Sequence, residues 1–184
     1  MKKLHLATEQ KNSIRPHLSY IQIKGGFAYA TNCHILVKMP LSELFGKESE
    51  LNCESYHFYI EAKEWQKNKF YNGVTFLLDG GNYLEALDSK GNRLGTIKIV
   101  TQPQFEHIGR YPDCDSVIYS SEKPTEAVDI ISFNPSLLST LCEAMGGDQN
   151  KFIYTFFGKL KTIQVKNASN LTFGILMPID ITKD

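Results

Sequence analysis

The feature that most constrains this chain is a series of short runs of alternating apolar and polar residues, cut by paired turn residues. The run at 19–26 (SYIQIKGG) stops at Gly25-Gly26, and FAYATNC (27–33) resumes the alternation at once. A two-residue Gly-Gly break between alternating runs predicts a tight hairpin. HILVKMP (34–40) continues to Pro40, and FYIEA (58–62) is a shorter run of the same kind. VTFLLDGG (74–81), NYLEALDS (82–89) and NRLGTIKIV (92–100) follow, with Gly80-Gly81 and Lys90-Gly91-Asn92 as the turns between them. VDIISF (128–133) reads as a strand, and FIYTFFGK, TIQVKNA and LTFGILMPI close the chain as three more. Links this short cannot carry crossover helices, so the sheets are expected to be mostly antiparallel.

Two segments break the period of two. AKEWQKNKF (62–70) is made of helix formers with Trp65 at its centre, before the breaker Asn72-Gly73. Trp65 is expected to anchor the core. Asn134-Pro135 is a helix start, with Asn as the cap and Pro where no N–H is needed. Leu137, Leu138, Leu141, Ala144 and Met145 then give one apolar helical face, which Gly146-Gly147 ends. The pattern strand–helix–strand–strand–strand thus occurs twice, at 57–100 and 127–179. Residues 1–52 show strands without a helix of this kind, since ATEQKNSI (7–14) is short and polar. The fold class expected is α+β, in repeated β-α-β-β-β units with helices on one face. The organisation expected is one domain over 1–105, a proline-containing connector over 106–126, and a half domain over 127–184.

Composition removes several functional classes. The 184 residues hold 20 basic and 20 acidic side chains, so no strong basic field marks a nucleic-acid binder. No apolar run reaches the roughly 20 residues that span a bilayer. MKKLHLATEQKN lacks the apolar stretch of a signal peptide, and a cytoplasmic protein is expected. Cys33, Cys53, Cys114 and Cys142 are scattered with no CxxC spacing, which fits reduced thiols and neither a disulfide framework nor a zinc site. Paired carboxylates, a phosphate loop and a nucleophile–base motif are all missing, so no enzyme, cofactor or metal site is expected. Cys33-His34 invites a catalytic dyad. Neighbours on a strand point to opposite faces, however, and no acidic partner is placed beside them. On the residues alone, His34 is a half-exposed strand histidine.

Four segments, in order, resemble the bacterial DNA polymerase III β subunits, the sliding clamps, the first being IRPHLSYIQIKGGFAYATNCHILVKMPL (14–41) with two motifs. Arg15-Pro16-His17-Leu18 and Ala30-Thr31-Asn32-Cys33-His34-Ile35-Leu36 stand where that family has an Arg-Pro-x-Leu lead-in and an Ala-Thr-Asp-Gly-His-Arg-Leu motif. IGRYPDCDSVI (108–118) is similar to its Gly-x-Phe-Pro-Asp-Tyr-x-x-Val-Ile segment. FNPSLLSTLCEAM (133–145) is similar to its Asn-x-x-Tyr-Leu-x-x-Ala-Leu helix, and FGILMPIDI (173–181) to its C-terminal Val-Met-Pro-x-x-Leu. The family's first domain and the first half of its last domain have no counterpart here.

The resemblance implies a non-enzymatic replication or repair accessory factor with the DNA-clamp fold. It implies a hydrophobic groove that takes a short linear peptide of a DNA polymerase or repair protein. Carried over by position, the groove would use Leu18, Thr31, Cys33, His34, Ile35, Leu36, Pro112, Val117, Ile175 and Met177. Cys33 stands for a glycine and Ile35 for an arginine, and Ser116 stands where an arginine is common, which implies a narrower, less polar groove. Non-specific contact with double-stranded DNA would fall to Lys63, Lys67 and Lys69, a small basic face on the first helix. The second helix has no basic residue. A ring would need self-association of several copies. The alternative is a monomeric, clamp-derived protein-binding module that does not encircle DNA.

Overall fold

Gly25 and Gly26 both lie at positive φ (59° and 81°), the backbone a two-residue turn between twisted antiparallel strands requires. They join β1 (Tyr20–Lys24) to β2 (Phe27–Thr31), which pair in register with Gln22 opposite Tyr29. The computed structural model describes residues 3–9, 14–46, 51, 54–67, 74–118, 130–146, 151–158, 161–168 and 171–179. Within them the chain continues through β3 (Ile35–Pro40), α1 (Leu41–Phe45), β4 (His57–Glu61), α2 (Ala62–Lys67), β5 (Thr75–Asp79), β6 (Tyr83–Leu87) and β7 (Arg93–Thr101). Then come α3 (Gln102–Glu106), α4 (Pro135–Ala144), β8 (Phe152–Phe156), β9 (Ile163–Asn167) and β10 (Phe173–Leu176). The strands form one antiparallel series in the order β5-β6-β7-β4-β1-β2-β3-β10-β9-β8.

The strand–helix–strand–strand–strand unit expected at 57–100 is present as β4 through β7, folded so that β4 returns beside β7. In the second unit the helix and last three strands are present, but its first strand is not. Residues 130–133 lie outside any strand, and 128–129 lie outside the described residues. The physical reason is pairing: β10 is bonded to β3 on one side and β9 on the other, so it has no free edge. Residues 130–133 run past the end of β10 instead, where Ser132 O accepts from Ile179 N at 2.7 Å. Two short helices were not apparent from periodicity. α1 places Leu41, Leu44 and Phe45 inward at i, i+3 and i+4. α3 starts with a reciprocal capping box between Thr101 and Gln104.

The main core lies between the sheet and one layer of helices. Ile21, Ile23, Val37, Ile60, Ile97 and Val165 come from the strands, Trp65 from α2, and Leu141, Ala144 and Met145 from α4. Trp65 is fully buried, edge-on to Phe45 at 6.0 Å and stacked with Phe76 at 6.1 Å. Asn134 caps α4 as expected, its side-chain oxygen accepting from Ser136 N at 2.9 Å. The close seating of α4 explains a glycine in β10. A Cβ on Gly174 would stand 2.6 Å from Met145 Sδ and 2.9 Å from Leu141 Cδ1.

Candidate partner-binding face

Strand alternation sends every second side chain to the sheet face away from those helices. Thr31 pairs with Leu36, and Leu36 with Ile175, so these three form one row across β2, β3 and β10 on that face. Leu36 and Ile175 belong to a second, smaller cluster with Tyr29, Tyr59, Phe105, Tyr111 and Cys114, against which Ile118 also packs. Met177 continues the parity of Ile175, is 43% exposed, and donates its N–H to His34 O at 3.0 Å. The row, His34 and Met177 therefore form a continuous strip at the ends of β3 and β10.

Ile35 is not in that strip. It pairs with Leu176, and both are buried in the helix-side core. Its inclusion among the groove residues is corrected by parity: consecutive residues of a strand cannot line one face. Leu18 is 1% exposed in the 3-10 turn Pro16–Ser19 and belongs to neither cluster. Cys33 is the one non-glycine residue at positive φ (70°) among those described. It occupies a left-handed turn between β2 and β3, the backbone for which glycine is the least strained residue. The turn is held by side chains. Thr31 Oγ1 donates to Ile35 O and accepts from Cys33 N, while Asn32 Oδ1 accepts from the N–H groups of His34 and Ile35. Cys33 and His34 are exposed, and Arg15 Nη1 donates to Cys33 Sγ at 3.2 Å.

Residues 105–118 form a wall packed on the same face through Phe105, Tyr111, Cys114 and Ile118. Pro112 is half-buried and Val117 is 43% exposed. This segment is fastened to the sheet at two points. The Tyr111 hydroxyl is placed to donate to Tyr20 O or Tyr29 O, each at 3.1 Å. The Asp115 carboxylate accepts from the Tyr29 hydroxyl at 3.0 Å and from Lys38 Nζ at 2.6 Å. Lys38 also lies over the Phe27 ring at 4.3 Å. Burial pushes the Asp115 carboxyl up, but the bonds from Lys38 and Tyr29 outweigh it and hold the group below the usual carboxylate range. Burial, then the bond to Asp115, pushes the Tyr29 phenol well above its ordinary value. Cys114 is pushed up to about 12, mostly by burial and then by Asp115 and Asp113. It is an inert thiol.

Beside this wall a cavity of about 610 Å³ opens onto β1, β2 and β4, and Pro112 is the one predicted groove residue that lines it. Its other lining residues, Gln22, His57, Tyr59 and Gln102 among them, were missed from the sequence. The signal that could have found them is parity, because Gln22 and Lys24 of β1 and His57 and Tyr59 of β4 all share the Tyr29 face.

On the helix side, Lys63 and Lys67 are exposed on α2, and Lys67 is bonded to Glu64. Lys69 lies outside the described residues. On α4, Glu143 is bonded to Lys3. Among the described residues no group of three or more His, Cys, Asp or Glu side chains is arranged to hold a metal ion. No described helix is long and apolar enough to cross a membrane.

No family model and no curated protein matches this sequence. Solved structures do. The DNA polymerase III beta chain of Streptococcus pneumoniae aligns over 97% of this chain with a TM-score of 0.60 and 13% identity. The DNA polymerase III beta subunit of Thermotoga maritima aligns over 97% with a TM-score of 0.59 and 12% identity. The DNA polymerase sliding clamp of Pseudomonas aeruginosa, solved with a ligand, aligns over 98% with a TM-score of 0.57 and 14% identity. The chain has the DNA sliding-clamp fold. It spans 62%, 63% and 64% of the lengths of those three clamps, respectively. A clamp fold at this identity is divergent, and its α+β class with an antiparallel sheet is the one expected from the alternating runs.

Proposed function

We propose that this clamp-fold protein is a non-enzymatic accessory factor of DNA replication or repair. It tethers a polymerase or repair protein by taking a short linear peptide on the face opposite the helices. The observation that carries the reading is the cross-strand row of Thr31, Leu36 and Ile175. That row continues into exposed Met177, and its cluster is joined by Tyr111, Cys114 and Ile118 of a wall bonded to the sheet through Asp115. Apolar walls, a flexible methionine and a few polar atoms suit an extended peptide. The groove residues of this proposal are Leu18, Thr31, Cys33, His34, Leu36, Pro112, Val117, Ile175 and Met177. Leu18 serves as a buried support.

The test is selection of peptides from a random display library against the full chain, followed by methyl chemical-shift mapping of the winners. Shifts centred on Leu36, Ile175 and Met177 are expected. No enrichment, or shifts confined to the helix face, overturns the reading. Griselimycin is a ready second probe, since the structure of the Bartonella birtlesii clamp, of similar fold (TM-score 0.56), holds it.

A second reading, a monomeric clamp-derived binding module, is favoured by the charge on the helix side. Lys67 is engaged with Glu64, α4 contributes Glu143 and no basic residue, and DNA contact would rest largely on Lys63 and Lys69. Light scattering across a concentration series separates the two. A closed oligomer that binds DNA with a steep salt dependence supports a ring, and a persistent monomer supports the module.

A further inference from the structure

The antiparallel series ends on one side at β8, and among the described residues no strand pairs with its outer edge. That edge is undefended. Edge strands usually carry a lysine, a proline or a bulge that discourages further pairing, whereas Phe152–Phe156 (FIYTF) holds no charge, no proline and no register shift. Two neighbouring side chains, Ile153 (54% exposed) and Tyr154 (41%), project to opposite faces, so the strand is uncovered on both. The other outer strand, β5, differs. None of its large apolar side chains is exposed, and it ends on the charge of Asp79.

The backbone of β8 is oriented for pairing. One step beyond the pair Phe152–Asn167, Ala168 N donates to Lys151 O at 2.8 Å. Bonding alternates along an antiparallel ladder, so Ile153 and Thr155 also face β9, and Phe152, Tyr154 and Phe156 turn their N–H and C=O groups to the outer edge. The side chains of these three lie on the helix face. Phe152 and Phe156 pack against the main core, and Tyr154 stands opposite Val165 of that core.

The strand is also symmetric, with a phenylalanine two positions to either side of Tyr154. A second copy running antiparallel about a two-fold axis at Tyr154 brings its Phe156 opposite Phe152, its Tyr154 opposite Tyr154 and its Thr155 opposite Ile153. Each outward N–H and C=O then meets its complement, and aromatic meets aromatic. The two Lys151 residues stand about 20 Å apart, too far to repel across solvent. Pairing with β5 of another copy would cover the exposed side chains of one β8 per contact. Two-fold pairing covers both sets in one contact and closes with two copies.

We infer that β8 is a self-association edge, at which a second copy of this chain adds its own β8 and continues the antiparallel sheet with both helix layers on one side. The inference does not rest on the peptide-binding reading.

Sedimentation velocity over a concentration series should show the full chain as a dimer. Tyr154→Lys sets like charges opposite each other at the axis and should raise the dimer dissociation constant about tenfold or more, with an unchanged circular dichroism spectrum. If that variant fails to fold, Ile153→Lys on the other face of the strand replaces it. Leu77→Lys on β5 should leave the dimer intact. Tyr154→Cys places two thiols at the axis, where the Cα atoms of a hydrogen-bonded pair lie about 5.5 Å apart, within disulfide reach. Oxidation by glutathione disulfide should link the two copies through residue 154, and mass spectrometry of the digested dimer reads that link. A monomer at every concentration, an assembly lost on Leu77→Lys, or a dimer with no link at residue 154 overturns the inference. None of these outcomes bears on the groove.

Discussion

The two faces of this sheet are built from the same strands and are packed differently. The helix face is aliphatic, closed and held by Trp65, α4 and a glycine-permitted close approach. The other face carries a smaller, mostly aromatic cluster, a polar cavity and a wall attached by a few hydrogen bonds. Because residues i and i+1 serve opposite faces, Ile35 packs in the helix-side core and Leu36 in the smaller cluster on the other face. The difference teaches that a chain of this fold can vary the face away from the helices without touching its main core, provided strand parity is kept.

The largest test of this division is Trp65→Ala. Removing a fully buried indole should cost about 3–5 kcal/mol in urea unfolding. Its effect on peptide binding, measured on the folded fraction, should be small. A Trp65→Ala protein of normal stability would break the assignment of the helix face as the main core. Next is Gly174→Ala, whose Cβ meets Met145 Sδ at 2.6 Å and should cost about 1–3 kcal/mol by overpacking. The far end of Met145 is flexible, so the lower end is expected, and co-substitution of Met145 by Leu should alter the loss.

On the face away from the helices, Asp115→Asn should weaken the wall. Hydrogen exchange across 111–118 should rise severalfold while exchange in α4 stays unchanged. The Asp115 pKa is depressed in the folded chain, so its stabilisation is present above the unfolded-state value near 4 and is lost as pH falls through the folded value. The wild type minus Asp115→Asn difference should therefore be present at neutral pH and fade below about pH 4. It should be small, because the pair is partly solvated and screened. Among the described cysteines, exposed Cys33 should be alkylated at pH 8 well before Cys114, whose thiol is pushed up to about 12. Mass spectrometry of quenched samples reads this directly, and equal rates would sink the buried placement of the wall. The smallest stability effect belongs to Met177→Ala. It should change stability by no more than about 0.5 kcal/mol, yet weaken a groove-bound peptide severalfold.

The sequence by itself determined the local elements. The Gly25-Gly26 hairpin, the Asn134-capped helix and the β4–β7 unit follow from turn chemistry, capping and periodicity, which act within a few residues. The ordered motifs also pointed to the sliding-clamp fold, and Thr31, Leu36 and Ile175 are cross-strand neighbours in it. Tertiary structure alone decided which strand edges meet. β10 pairs with β3, which no local pattern announced, and this brought Leu36 beside Ile175, 139 positions away in sequence. It also decided that Ile35 faces the core, that Asp115 reaches Tyr29 and Lys38, and that Gln22, Tyr59 and Gln102 share one cavity floor. The physical reason is range. Backbone propensity and turn geometry are fixed by near neighbours, whereas pairing between distant strands is chosen by which apolar faces can be buried together, and no local pattern records that choice.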